Sequence, residues 1–151
     1  MTKPILTHPS WTDIEKGCAW IAMQILKHNF VPETIVALKR GGSIPATIIA
    51  HMFDIDKDNI VHVSYSSKKH GSKGDGKSAY NFLPRVYTTN VLVVDDIVDS
   101  GWTMNEVVAT YKPSHNVRSA VLYYKEGSVY KPDLVWQEIP ADAPWIIYPW
   151  G

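Results

Sequence analysis

Three aspartates, two hydroxyl residues and a glycine stand close together within residues 91–103: Asp95, Asp96, Asp99, Ser100, Gly101 and Thr103. Carboxylates accept hydrogen bonds from sugar hydroxyls and bind Mg²⁺. Backbone N–H groups at a turn that leads into a helix bind anions, and a glycine lets the backbone approach them closely. The segment therefore predicts a site for a ribose 5-phosphate unit. An ordinary capped strand-to-helix turn would not require three aspartates.

A second candidate site consists of Lys39, Arg40, Gly41 and Gly42, which follow an apolar, β-branched run. Two cations and two glycines after a predicted strand suit a pyrophosphate group. The same four residues could equally form a solvated turn, and their types alone do not separate the two interpretations.

A competing motif lies in residues 71–78, which fit the pattern Gly-x-x-x-x-Gly-Lys-Ser of P-loop nucleotide hydrolases. That loop requires a strand directly before it and a long helix directly after it. Leu83 lies six positions after Lys77 and Pro84 follows, which disfavours such a helix. We therefore expect the match to reflect a loop rich in glycine, lysine and serine, and P-loop hydrolysis stays a remote alternative.

Predicted strands and helices alternate along the chain. Helices are predicted over residues 10–28, 43–53 and 103–111, and strands over 34–38, 59–67, 91–94, 119–124 and 134–139. Thr12 and Glu15 have the spacing of a capping box, and Ser43 is a possible N-cap. The alternation predicts an α/β fold with a largely parallel central sheet flanked by helices. Ligands bind at the carboxyl ends of such strands, so we expect the chemistry after Leu38, Ser64, Val94 and Tyr124.

Composition narrows the class of protein. The 151 residues are 45% apolar and 20% charged with a formal net charge of zero, which favours one folded domain over residues 1–151. The neutral charge gives no electrostatic footprint for nucleic acid or an anionic membrane, so we expect neither as a partner. Cys18 is the one cysteine and is expected to be buried in the first helix. Without a signal peptide or a membrane span, a cytoplasmic protein is expected.

Residues 91–103 resemble the phosphoribosyl pyrophosphate (PRPP) motif of the type I phosphoribosyltransferases: an apolar strand, two acids, two apolar residues and Asp-Ser/Thr-Gly-x-Thr. The resemblance implies that Asp95 and Asp96 hold the ribose hydroxyls and Mg²⁺. It implies a 5′-phosphate cradle of Ser100, Gly101, Trp102 and Thr103. Asp99 would exchange a proton with N7 of a purine. Lys39, Arg40, Gly41 and Gly42 would form the pyrophosphate loop, which in the family often contains a cis peptide.

The C-terminal third resembles the purine-binding end of bacterial xanthine-guanine and hypoxanthine phosphoribosyltransferases. The resemblance implies that Lys125 holds the 6-oxo group, that Trp145 stacks on the purine, and that the Ile146 backbone contacts the 2-position. A cationic donor selects an oxo over an amino group, which favours guanine, xanthine or hypoxanthine over adenine. The alternatives are a surface lysine at a strand end for Lys125, and a tryptophan packed in the core or in an interface for Trp145.

Ser64 and Tyr65, with the polar residues 66–81, resemble the family's catalytic lid, and residues of about 125–151 resemble its purine-binding hood. A plain hairpin loop is the alternative for the lid. Two positions depart from the family pattern. Trp102 replaces a residue that is often small, and Gly151 stands where purine members often have an acid that helps to hold metal. We expect the second departure to alter metal affinity or turnover.

The resemblance as a whole implies a purine-salvage enzyme that uses PRPP, a purine base and Mg²⁺. The aromatic residues that are expected to be exposed indicate a homo-oligomer, a dimer or tetramer. A non-catalytic regulator of the same fold, binding PRPP or a nucleotide, would carry the same motif in residues 91–103. Such a regulator would not need Lys125 and Trp145, and these two residues favour the enzyme.

Overall fold

The computed structural model describes residues 5–64 and 83–151. Tyr65, the lid predicted over residues 66–81 and the P-loop match over residues 71–78 lie outside the described residues. Within the described ranges, no helix has both the length and the apolar character needed to cross a lipid bilayer.

The described residues form a parallel sheet with helices on both faces. The helices are α1 (Trp11–Lys27), α2 (Ser43–Met52) and α3 (Trp102–Tyr111), with a 3-10 turn at Lys57–Asn59. The strands are β1 (Thr34–Leu38), β2 (Ile60–Val63), β3 (Asn90–Val98), β4 (Asn116–Lys125) and β5 (Leu134–Ile139). Their order is β2-β1-β3-β4-β5, and every neighbouring pair is parallel. The predicted α/β fold with a largely parallel central sheet is confirmed.

Two apolar clusters lie on the two faces of the sheet, because successive strand side chains point to opposite sides. Ile35, Leu92 and Val94 pack with α1 and α2 in one cluster, whereas Val36 and Val93 pack with α3 in the other. All five residues of β1 are buried, as expected for a strand covered on both faces.

Cys18 belongs to the α1 side of the core and is fully buried, as the sequence predicted. Burial raises the pKa of its thiol to about 12, because a thiolate would lose its hydration there. Cys18 is therefore a packing residue rather than a nucleophile.

Strand β3 continues beyond the predicted end at Val94. Asp95, Ile97 and Val98 pair with Val121, Tyr123 and Tyr124 of β4, so the ladder runs through the two acids to Val98. The aspartates do not end the strand because β4 supplies pairing partners for their backbone. Strand β4 likewise begins three residues before the predicted start, at Asn116. Strand β2 covers Ile60–Val63, and residues 65–67 of the predicted strand lie outside the described residues.

The predicted capping residues are wrong for two helices. The capping box of α1 uses Ser10 and Asp13: Ser10 Oγ accepts from Asp13 N at 3.1 Å, and Asp13 Oδ2 accepts from Ser10 N at 2.8 Å. Thr12 lies inside the first turn because the helix begins at Trp11. Ser10 Oγ also donates to Asp13 Oδ2 at 2.9 Å, and the two hydrogen bonds that the carboxylate accepts from Ser10 lower the pKa of Asp13. Helix α2 is preceded by Gly42, so Ser43 lies within the helix, where its Oγ is 3.0 Å from His62 Nδ1.

We predict that Ser10→Ala lowers the free energy of unfolding by about 1 kcal/mol, because the N–H of Asp13 loses its acceptor. Thr12→Ala is the matched control, since Thr12 is exposed and outside the capping box. Urea denaturation of both variants measures the difference. A greater loss for Thr12→Ala than for Ser10→Ala would contradict the observed cap.

Candidate active site

Three neighbouring strands end at the same edge of the sheet and bring the predicted site residues together. β1, β3 and β4 are adjacent and parallel, so the loops that follow them meet there. A cavity of about 550 Å³ opens at this edge. Its walls contain most of the residues that the sequence singled out: Lys39, Arg40, Gly41, Asp95, Asp96, Asp99, Ser100, Gly101, Trp102, Thr103 and Trp145.

A second cavity of about 510 Å³ adjoins the first, with Arg40, Asp96, Asp99 and Trp145 in the walls of both. It extends to the C-terminal tail, where its lining is largely apolar and aromatic: Ile44, Ile97, Ile146, Tyr148, Trp150 and Gly151. The two cavities form one cleft, with charged groups at one end and aromatic groups at the other.

The loop after β1 packs directly on the acidic end of β3. Gly42 N donates to Leu38 O at 2.9 Å, and Lys39 N donates to Val63 O at 2.9 Å. The Lys39–Arg40 peptide bond is cis. A Cβ at Gly41 would overlap the Asp96 carboxylate, and one at Gly42 would lie 2.7 Å from Val94 O. Glycine is therefore needed at both positions for this close approach.

Asp95 and Asp96 present adjacent carboxylates in the cleft. Asp95 Oδ1 accepts from Asp96 N, and Asp96 Oδ1 accepts from Ile97 N, each at 2.8 Å. The pKa of Asp95 is raised well above its ordinary value, first by burial and second by the negative charge of Asp96. This half-buried pair would be stabilised by a cation or by hydroxyl donors placed against it.

No group of three or more His, Cys, Asp or Glu side chains is arranged to hold a metal ion within residues 5–64 and 83–151. Mg²⁺ is usually bound by one or two carboxylates together with water and substrate phosphates. Asp95 and Asp96 fit that smaller requirement, because their adjacent carboxylates both line the first cavity.

The phosphate turn, which we define as residues 99–103, joins β3 to α3. Gly101 is the N-cap of α3 with φ of 91°, and no side chain caps the helix. A Cβ at Gly101 would lie 2.8 Å from Tyr130 N, so both its backbone angle and its packing require glycine. The positive end of α3 is thus directed to the first cavity, an arrangement that suits an anion.

Asp99 and Lys125 meet across the ends of β3 and β4. Lys125 Nζ lies 3.3 Å from Asp99 Oδ1, and the two side chains are 27% and 59% exposed. Asp99 lines both cavities, whereas Lys125 lines neither and contacts the site through Asp99. Ser64 follows β2 and also lies outside both cavity walls.

Trp145 is 81% exposed in the wall of the cleft, so core packing does not account for it. Ile146 beside it is buried in the α1 side of the core. The tail is anchored just beyond, where Ile147 N donates to Thr7 O at 2.8 Å. A fixed backbone therefore supports an exposed indole.

Tyr148 is a cleft residue that sequence reasoning missed. Its ring stacks on Trp150 with centroids 4.6 Å apart and meets Tyr123 at 6.0 Å. Among the described residues, its hydroxyl is the one buried side-chain polar atom without a hydrogen-bond partner. Burial and the nearby Asp96 carboxylate raise the pKa of Tyr148. The aromatic composition of the tail could have indicated this cluster, but no sequence pattern indicates an unpaired hydroxyl.

We predict that Tyr148→Phe raises the free energy of unfolding by about 1 kcal/mol, because a buried hydroxyl without a partner is destabilising. Tyr123→Phe is the matched control. The Tyr123 hydroxyl donates to Leu6 O at 3.0 Å, so its removal should lower stability. Urea denaturation without ligand measures both, and a fall in stability for Tyr148→Phe would contradict the prediction.

Comparisons with known proteins agree with this geometry. The family model described as the phosphoribosyl transferase domain matches residues 10–151. The xanthine-guanine phosphoribosyltransferase of Desulfotalea psychrophila is 32% identical over 146 residues, which cover 95% of this chain and 86% of that protein. The protein of the same name from Ruegeria is 30% identical over 155 residues, covering 95% and 84%.

Two solved structures share the fold. The xanthine-guanine-hypoxanthine phosphoribosyltransferase of Helicobacter pylori has a TM-score of 0.76 at 23% identity, covering 95% of this chain and 91% of that one. A hypothetical protein from Neisseria gonorrhoeae with bound ppGpp has a TM-score of 0.71 at 24% identity, covering 98% and 91%.

Proposed function

Because the chain belongs to the phosphoribosyltransferase family, we propose that it transfers the 5-phosphoribosyl group of PRPP to a 6-oxopurine base. The products are a nucleoside 5′-monophosphate and pyrophosphate. One observation carries the proposal: a single cleft joins the acidic end of β3 and the start of α3 to an exposed indole on an anchored tail. We propose that one domain spanning the chain performs the reaction, since every site element borders the same sheet edge.

Two loops would bind PRPP. The phosphate turn would hold the 5′-phosphate, chiefly through backbone N–H groups at the start of α3, with Ser100 and Thr103 as hydroxyl donors. Asp95 and Asp96 would accept hydrogen bonds from the ribose hydroxyls. Lys39, Arg40, Gly41 and Gly42 would bind the diphosphate, where positive charge favours its departure.

Mg²⁺ is proposed as the cofactor, held by Asp95 and Asp96 together with PRPP oxygens, and it would neutralise negative charge on the departing diphosphate. Support for the metal comes from the donor set, two adjacent carboxylates that line the same cavity.

Four residues would contact the base. Trp145 offers an exposed indole face for stacking, worth ~1–3 kcal/mol per base. Ile146 lies beside it in the cleft and would contact the 2-position through its backbone. Lys125 would donate to the 6-oxo group, and Asp99, which its ammonium contacts, would exchange the N7 proton. This assignment supports guanine, xanthine or hypoxanthine as the substrate.

We also propose an oligomeric state and a cellular location for the protein, each from one feature of its surface or core. Trp20, Met23 and Leu26 expose apolar surface at intervals of three residues along α1, which supports a homo-oligomer, a dimer or tetramer. Sedimentation equilibrium that gives a monomer would exclude it. One buried free thiol, Cys18, is compatible with a cytoplasmic location.

The direct test is pyrophosphate release by purified protein supplied with PRPP, Mg²⁺ and a panel of bases. We expect release with guanine, xanthine or hypoxanthine, little with adenine or pyrimidines, and loss of release when the metal is chelated. PRPP binding without release on any base would instead support a binding-only regulator.

We predict that Asp99→Asn lowers kcat roughly a hundredfold, because a general base contributes about that much or more and the amide cannot take the N7 proton. Titration with PRPP should show retained affinity. Lys125→Met is the control, since it breaks the same ion pair but leaves the carboxylate, and it should mainly raise KM for the base. Unchanged turnover in Asp99→Asn would exclude the proton-exchange role.

A further inference from the structure

The segment after β4 forms a second layer beneath the phosphate turn. We define residues 126–130 as the buttress turn. Val129 N donates to Ser100 O at 2.8 Å, and Gly101 packs so closely on Tyr130 N that a Cβ would not fit. Glu126 N donates to Ile139 O at 2.9 Å, which ties the buttress turn to the end of β5. Its position is therefore fixed from both sides.

Ser128 lies at the centre of this turn. Its Oγ is 2.7 Å from Lys125 O and 3.4 Å from Val98 O, and it also contacts Asp99 O. Gly127, with φ of 89°, reverses the chain just before it. Three carbonyls from the ends of β3 and β4 thus converge on one hydroxyl. Ser128 itself lines neither cavity.

The Asp99–Lys125 pair needs such support. Its side chains are 27% and 59% exposed, and ion pairs with this much exposure contribute little to holding two groups in place. A purine presents N7 and its 6-oxo group on one rigid edge, so the carboxylate and the ammonium must keep a set separation. The backbones of the two residues must therefore be held relative to each other, and Ser128 contacts both.

We propose that Ser128 is a positioning residue whose hydroxyl sets the separation of Asp99 and Lys125 and thereby the fit of the base edge. This inference rests on the proposed function for its consequence in catalysis. Its structural part, the holding of Lys125 against Asp99, stands independently of any substrate.

Ser128→Ala tests the inference, with Ser114→Ala as the matched control because Ser114 is exposed in the loop between α3 and β4. We expect KM for the base to rise and kcat to fall so that kcat/KM drops roughly tenfold or more. KM for PRPP should stay within about twofold, because the phosphate turn keeps its hydrogen bond from Val129. Ser128→Thr keeps the hydroxyl and should restore base KM.

A readout without substrate separates this inference from the proposed function. Reductive methylation of lysines, resolved by peptide mass, should be severalfold faster at Lys125 in Ser128→Ala than in the wild type, because a looser pair frees the ammonium. Lys131, whose Nζ lies 3.5 Å from Glu138, is the internal reference and should be unchanged.

The positioning role would be overturned if Lys125 were methylated at the same rate in Ser128→Ala and in the wild type and KM for the base were also unchanged. Equal rises in KM for base and PRPP, with a lowered Tm, would also overturn it, since they indicate general loosening. If the wild type does not release pyrophosphate with any of the bases, the proposed function fails. The methylation rate of Lys125 alone then decides whether Ser128 holds the pair.

Discussion

The central position of β3, hydrogen-bonded to β1 on one side and to β4 on the other, is the constraint on which the site depends. Pairing with β1 stops at Val94, whereas pairing with β4 continues to Val98. The last residues of β3 therefore have an open side, and Asp95 and Asp96 lie there. A strand that ended at Val94 would leave both acids on a loop, without the fixed backbone that holds their carboxylates in the cleft.

Three glycines then bring neighbouring loops into direct contact with this strand end. Gly41 and Gly42 allow the loop after β1 to pack on Asp96 and Val94, and Gly101 allows the phosphate turn to rest on the buttress turn. At each of these positions a Cβ would overlap the neighbouring group and push the two segments apart. The loop after β1, the acids of β3 and the phosphate turn are thus positioned by close backbone packing.

The aromatic tail is positioned in a different way. Tyr123, Tyr148 and Trp150 form a packed series of rings, and Thr7 O accepts the N–H of Ile147. The N-terminal segment therefore supports the wall that carries Trp145. This dependence between two ends of the chain links residues that are far apart in sequence and so leaves no local pattern. Tyr148 and Trp150 therefore line the cleft although no local sequence pattern indicates them.

The sequence by itself determined the alternation of strands and helices, the parallel sheet and the motif in residues 91–103, because apolar runs, glycines and aspartates specify local structure directly. Strand β5 at Leu134–Ile139 was located to the residue. Only the tertiary structure decided how far β3 extends and that Ser43 contacts His62 instead of capping α2. Each of these depends on a partner from elsewhere in the chain. The same holds for the Asp99–Lys125 pair, which strand register brings to 3.3 Å, and for Ser128, whose importance appears only where β3 and β4 end side by side.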